Sequence, residues 1–279
     1  MKSVYQFFLL HFMRGTPVIL LLTIGCYAKA QTAPSGFTWP EGKKAAISLT
    51  FDDGRLSQVD HGIPVLDKYG VKATFYLVPA AMMERKDGWK AAVKNGHEVG
   101  NHSNTHPCTG NFDWSRGNAL ENYTLKSITA NLDSCSRAIK SELGVQAVSF
   151  AFPCGQKFIG RGKNTRSYVP VIADRFQTGR GWLDEGANDP AFCDMAQLTG
   201  MELDGKSFEQ VKQLIETAKN KGQWLILAGH EMNNEGDQTS LLSTLEELCK
   251  YALDPANGVW VGTVHEVADY INEKRPPLK

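Results

Sequence analysis

The chain has 279 residues, of which 42% are hydrophobic, 22% charged and 10% aromatic. That composition excludes a wholly disordered, collagen-like or coiled-coil chain. Lysine plus arginine and aspartate plus glutamate both number 30, so no basic excess points to nucleic acid as a partner. After residue 30 no apolar run approaches the roughly 18–20 residues of a membrane helix. The length suits one α/β domain of about 250 residues.

The first thirty residues read as a leader. Lys2, His11 and Arg14 give a positive start, Pro17 to Tyr27 is apolar, and Ala28-Lys29-Ala30 is a small-x-small cleavage site before Gln31. A secretory signal peptide over residues 1–30 and a single domain over 31–279 follow. Export to the periplasm or the medium is therefore expected. Two readings compete: a retained membrane anchor, for which the apolar core is short, and lipidation at Cys26, where Thr23 stands in place of the usual large aliphatic. Without the leader five cysteines remain, none in a C-x-x-C pair. An oxidising compartment then allows at most two disulfides, with the pairing open.

Strands and helices alternate along the rest of the chain. Ala45 to Phe51 is a run of strand formers ending at Asp52-Asp53-Gly54. Ser57 to Tyr69 reads as a helix stopped by Gly70. Strand Val71 to Val78, helix Lys86 to Lys94 and strand His97 to Gly100 follow. Leu120 to Leu143 has helical periodicity, and Ala147 to Phe152 is a strand closed by Pro153-Cys154-Gly155. Tyr168 to Arg175 and Ser207 to Lys221 are helical, the latter with Ser207 as N-cap and Gly222 as stop. Strand Trp224 to Ala228, helix Ser240 to Ala252, strand Val259 to Gly262 and helix Val264 to Ile271 complete the series. Such alternation predicts a parallel sheet with helices outside it, closed or nearly closed into a barrel of about seven units. In such barrels chemistry gathers at the C-terminal ends of the strands.

Four strand ends carry chemistry-bearing residues. Asp52 and Asp53 are adjacent, so their side chains point different ways and one can bind a metal while the other faces substrate. As a competing reading, Asp-Asp-Gly is good turn chemistry. His102 and His106 lie four apart and can share an ion, completed by a carboxylate from another strand end; they also read as two plain loop histidines. Pro153-Cys154-Gly155 is a turn able to aim the Cys154 N–H into a cleft as an oxyanion donor, with Cys154 as a nucleophile the less favoured use. His230 follows a very apolar strand and is placed to protonate a leaving group. His61, His97 and His265 lack such a setting and read as structural.

In this order, Thr50-Phe51-Asp52-Asp53-Gly54, His102-Ser103-Asn104-Thr105-His106, Pro153-Cys154-Gly155 and the late strand with His230 resemble the polysaccharide deacetylases, the NodB-homology fold of family 4 carbohydrate esterases. The resemblance spans about residues 43–272. It implies an α/β fold, a distorted (β/α) barrel of about seven parallel strands. It implies Asp52 as catalytic base, and Asp53, His102 and His106 as ligands of a divalent metal, usually zinc. It implies the Cys154 N–H as oxyanion donor and His230 as general acid. The substrate class implied is an acetylated glycan: chitin-like oligomers, peptidoglycan and acetylated xylan all fit.

The chain departs from the family pattern in three places. Ala151 stands where many members carry an arginine that pairs with the base. Cys154 stands where an aromatic is usual. Trp182 is only a loose echo of a later Asp-Trp pair. Arg180 is a candidate to replace the missing arginine from another strand end. With Trp114 and Trp182, in polar loops, it is also a candidate substrate contact. Two other readings compete: a metal-dependent hydrolase of non-sugar C–N bonds on the same barrel, and a non-catalytic glycan-binding relative. Base, acid and metal ligands together argue against the last.

Overall fold

A computed structural model describes residues 37–275 of the chain. The expected leader, its cleavage site and the Cys26 lipidation alternative lie outside the described residues.

Eight parallel strands form the main sheet. They are β1 (Ala45–Phe51), β2 (Thr74–Leu77), β3 (Glu98–Asn101), β4 (Ser149–Ala151), β5 (Thr178–Arg180), β6 (Met201–Glu202), β7 (Trp224–Gly229) and β8 (Val259–Val261). Seven of them follow the order β5-β4-β3-β2-β1-β7-β6. The eighth, β8, pairs with the N-terminal half of β1, from Ala45 to Ile47. Strand β7 accompanies β1 from Ala46 to Phe51. The opposite edge of β1 is therefore shared, β8 below and β2 above at Thr50 and Phe51. Central strands of a parallel sheet are covered on both faces, and every residue of β1 is buried. Its two hydroxyls are satisfied inside the sheet: Thr50 donates to the Leu227 carbonyl at 2.8 Å, and Ser48 accepts from the Trp224 indole at 3.0 Å.

The sheet curls into an incomplete barrel. Leu198 forms a parallel bridge with Arg180 on β5, and three residues later β6 joins β7. One stretch of chain thus spans the gap between the two free edges. Helices α1 (Ile63–Lys68), α2 (Pro79–Glu84), α3 (Lys86–Lys94), α4 (Leu125–Leu143), α5 (Val169–Ala173), α6 (Phe208–Lys221) and α7 (Leu242–Leu253) lie between strands, and α8 (Val264–Lys274) follows β8. Among the described residues no helix is long and apolar enough to cross a membrane.

Several elements differ from expectation for local reasons. Leu120–Asn122 is one 3-10 turn, and α4 starts only at Leu125. Thr124 and Ser127 form a reciprocal capping box there, satisfying the first free N–H groups of the helix. The expected helix from Ser57 opens with a wide turn over Gln58–Gly62 before α1. Strand 71–78 shortens to Thr74–Leu77, and Ser240 belongs to a short strand pair (Glu231–Asn233 with Thr239–Leu241) rather than to α7. Strands β5 and β6 escape the sequence pattern, being three and two residues long.

One disulfide is formed, Cys108–Cys154. Cys135 and Cys249 are buried thiols and Cys193 is partly buried, so among the described residues one of the at most two disulfides forms and three thiols stay free. Their separation on different elements leaves no second pair within bonding reach.

Candidate metal centre and cleft

The C-terminal ends of β1, β3, β4 and β7 meet at a cleft of about 600 Å³. Asp52, Asp53, His102, His106, Cys154 and His230 all line it, as do Trp114 and Trp182.

Asp53 Oδ1 lies 3.4 Å from His102 Nε2 and 3.3 Å from His106 Nε2. Donor atoms of the three residues all fall within 4.8 Å of one another. With bonds of roughly 2.0–2.2 Å, neighbouring ligand atoms of a tetrahedral zinc ion stand about 3.3–3.5 Å apart, so the donor set fits such an ion. Protonation states agree with ligation. Burial would raise the Asp53 carboxyl, but hydrogen bonding and charge from His102, then His106 and Arg55, hold it far below the usual range. Burial, then repulsion from His102, pushes His106 down to about 4, so its ring is neutral near pH 7. His102 donates Nδ1–H to the Ala151 carbonyl at 2.9 Å. That bond fixes the tautomer and leaves the Nε2 lone pair free for a metal.

The backbone bends sharply to bring these groups together. Asp53, Ser103, His106 and Cys154 sit at positive φ of 73°, 64°, 49° and 53°. Such conformations cost about 1–3 kcal/mol each for non-glycine residues and persist where their surroundings over-determine them. Here Asn101 Oδ1 accepts from Ser103 N at 2.7 Å, Ser103 Oγ accepts from His106 N at 3.0 Å, and the disulfide ties Cys154 to Cys108. The bonded Cys154 sulfur overturns the nucleophile reading of that residue.

Asp52 is buried beside the metal donors, its Oδ2 4.0 Å from His102 Nε2. Its Oδ1 accepts from Arg180 Nη2. Burial raises the Asp52 carboxyl, yet Arg180, then His102 and His230, outweigh burial and hold it below its ordinary value. The register explains the pairing: Ala151 on β4 is the direct partner of Arg180 on β5. Paired residues of neighbouring strands face the same side of a sheet, so Arg180 enters the barrel one strand over from position 151. It is wholly buried, stacked 4.9 Å from the Tyr76 ring centroid. That burial argues against the substrate contact considered for it: Arg180 pairs with Asp52 in the interior and does not line the cleft.

His230 Nδ1 meets Asp204 Oδ2 at 2.7 Å, and Asp204 Oδ1 accepts from Ser240 Oγ at 2.7 Å. Burial alone lowers the His230 pKa, but Asp204, Asp52 and Asp53 reverse the sign and raise it. Trp182 packs edge-on against the His230 ring, 4.9 Å between centroids. Trp114 is 67% exposed and stacks on Phe112, with centroids 5.6 Å apart. His97 is held by Asp67 and the Ala73 N–H, and His61 by Asn233, all away from the metal donors.

Asp204, Arg55, Gln58 and Glu231 are site residues that the sequence pattern missed. The signal for Asp204 was present: Leu203-Asp204-Gly205 follows β6 much as Phe51-Asp52-Asp53-Gly54 ends β1. Gln58 Nε2 donates to the carbonyls of Asp52 (2.6 Å) and His230 (2.8 Å), joining the ends of β1 and β7.

Fold and site define an α/β protein with a curled parallel sheet and a candidate two-histidine, one-carboxylate metal centre at its strand ends. Residues 40–168, a little under half of the chain, match the polysaccharide deacetylase family. A gellan lyase of a Bacillus species is 24% identical over 85% of this chain and 10% of its own length. A peptidoglycan-N-acetylglucosamine deacetylase of Listeria monocytogenes is 35% identical over 32% of this chain and 20% of its own. The chain thus spans a fifth or less of the length of these relatives. A polysaccharide deacetylase candidate from Mycobacterium smegmatis superposes with a TM-score of 0.61 at 16% identity, over 89% of this chain and 98% of that one, and shows the fold.

Proposed function

We propose that the protein is an exported, metal-dependent hydrolase that removes acetyl groups from a glycan, with zinc as its metal. One observation carries the reading: three donors spaced for a tetrahedral ion stand beside an ionised buried carboxylate and a carboxylate-supported histidine in one cleft. The match of residues 40–168 to the polysaccharide deacetylase family agrees with it. Asp53, His102 and His106 hold the ion, which supplies polarisation of an acyl oxygen and a lowered pKa for water within its reach.

The chain's own groups perform the remaining work. Asp52, kept ionised by Arg180, takes a proton from the attacking water. The Cys154 N–H on the cleft wall donates to the oxyanion. His230, kept protonated by Asp204, gives its proton to the departing sugar nitrogen or oxygen. Each acid–base contribution of this kind is worth about 10²–10⁴-fold in rate. Trp114 and Trp182 offer flat faces for a sugar ring.

Acetate release tests the proposal. Chitooligosaccharides, peptidoglycan fragments and acetylated xylan are offered side by side, with zinc and after chelation, and with Asp52→Asn as control. Zinc-dependent release from one substrate, abolished in the variant, is expected. A zinc-loaded protein that releases acetate from none of them would overturn the deacetylase reading.

A further inference from the structure

The metal-site carboxylate has a second oxygen, and it is already engaged. Arg55 places Nε 2.9 Å and Nη2 2.8 Å from Asp53 Oδ2. Oδ1 is left alone to face His102 and His106. The guanidinium is itself held from the far side. Arg55 Nη1 lies 3.4 Å from Glu231 Oε1, and Glu231 Oε2 accepts from Ser57 Oγ. Ser57 Oγ in turn accepts from Met232 N at 2.9 Å. The strand ends of β1 and β7 thus clamp Arg55 between two carboxylates.

We propose that Arg55 is a positioning residue that restricts Asp53 to one-oxygen ligation of the metal and so keeps a coordination position open for water and substrate. The inference rests on the metal reading given above. A guanidinium with both N–H groups on Oδ2 competes with any ion for that oxygen. A planar two-donor fork does this far better than an ammonium. With Arg55 removed, both oxygens of Asp53 are free to chelate, and the Glu231 charge beside them is uncompensated. Both changes favour a dication while crowding the position that turnover needs. A merely supporting residue predicts the reverse, because losing an outer partner of a ligand typically weakens metal binding about 10–100-fold.

The test compares wild type, Arg55→Met and Arg55→Lys by zinc titration against a chromophoric chelator, by the visible spectrum of the cobalt(II) form, and by kcat at saturating zinc. Arg55→Met is expected to bind zinc about tenfold more tightly, since a neighbouring positive charge is gone. Its cobalt bands should weaken as the coordination number rises, and its kcat should fall although the site is full. Arg55→Lys should lie between. Unchanged or weaker zinc binding by Arg55→Met, or a cobalt spectrum identical to wild type, would overturn the inference and leave the metal reading standing. Failure of the wild-type protein to take up zinc or cobalt would overturn both.

Discussion

Replacing Arg180 by methionine removes the guanidinium paired with Asp52 while roughly keeping its volume. Arg180 is wholly buried and Asp52 nearly so, so water is a poor replacement for the lost partner. Removing one member of a buried ion pair costs about 3–5 kcal/mol, because the other charge is stranded. For a domain of this size that is a melting-temperature loss of about 10 °C at neutral pH. The pH dependence should change sign. In the wild type the Asp52 pKa is depressed, so its contribution is present above the unfolded value near 4 and disappears as pH falls through the folded value. In Arg180→Met, burial dominates and raises the carboxyl. The variant should then gain stability relative to wild type as pH drops from 7.5 toward 5, as Asp52 takes up a proton. The acid limb of acetate release should move to higher pH by the same shift. Melting curves at pH 5 and 7.5, with a pH–rate profile, measure both effects. A variant with the wild-type profile and the wild-type pH dependence of melting would refute the claim that Arg180 sets the charge state of Asp52.

Three further outcomes are expected. Asp204→Asn removes a group that raises the His230 pKa, so the alkaline limb of the rate profile should move to lower pH, with kcat down about 100-fold at pH 8. Opening the Cys108–Cys154 loop, 46 residues in sequence, by the double serine variant should cost about 4 kcal/mol of stability by chain entropy; a melt matching wild type would contradict it. Trp114→Ala, at an exposed position, should leave the melting curve unchanged and raise KM for oligosaccharides severalfold with little effect on kcat; an unchanged KM for every oligosaccharide would remove Trp114 from the substrate path.

Legibility of the fold followed the strength of the local signal. Strands β1 and β7 are six or seven residues long and wholly buried, so their apolar runs stood out and exposed Asp52, Asp53 and His230 at their ends. The capping box at Ser207 and the glycine stops at Gly70 and Gly222 fixed helix ends for reasons of backbone geometry. Strands β5 and β6 are too short and mixed to show periodicity, and Asp204 was lost with β6. Arg55 and Glu231 were invisible for another reason. A charged residue beside a turn looks solvated until the fold brings its partner, 176 positions away, into contact. Arg180 came into view only through the small residue at Ala151, a clue whose meaning depends on the register of β4 and β5. The disulfide joins two loops whose approach no spacing rule encodes.

The two hydrogen bonds of Gln58 give the cleft a fixed gauge. Where the β1–β7 ladder ends at Phe51 and Gly229, one amide nitrogen carries the tie one residue further, to the carbonyls of the proposed base and the proposed acid. Loops 107–118 and 182–195 carry no such tie to both strands. Changes in the preference for the proposed glycan are thus free to accumulate in those loops while the spacing of the proposed reacting groups stays constant. A library seeking a new substrate should vary the loops and hold Gln58 untouched.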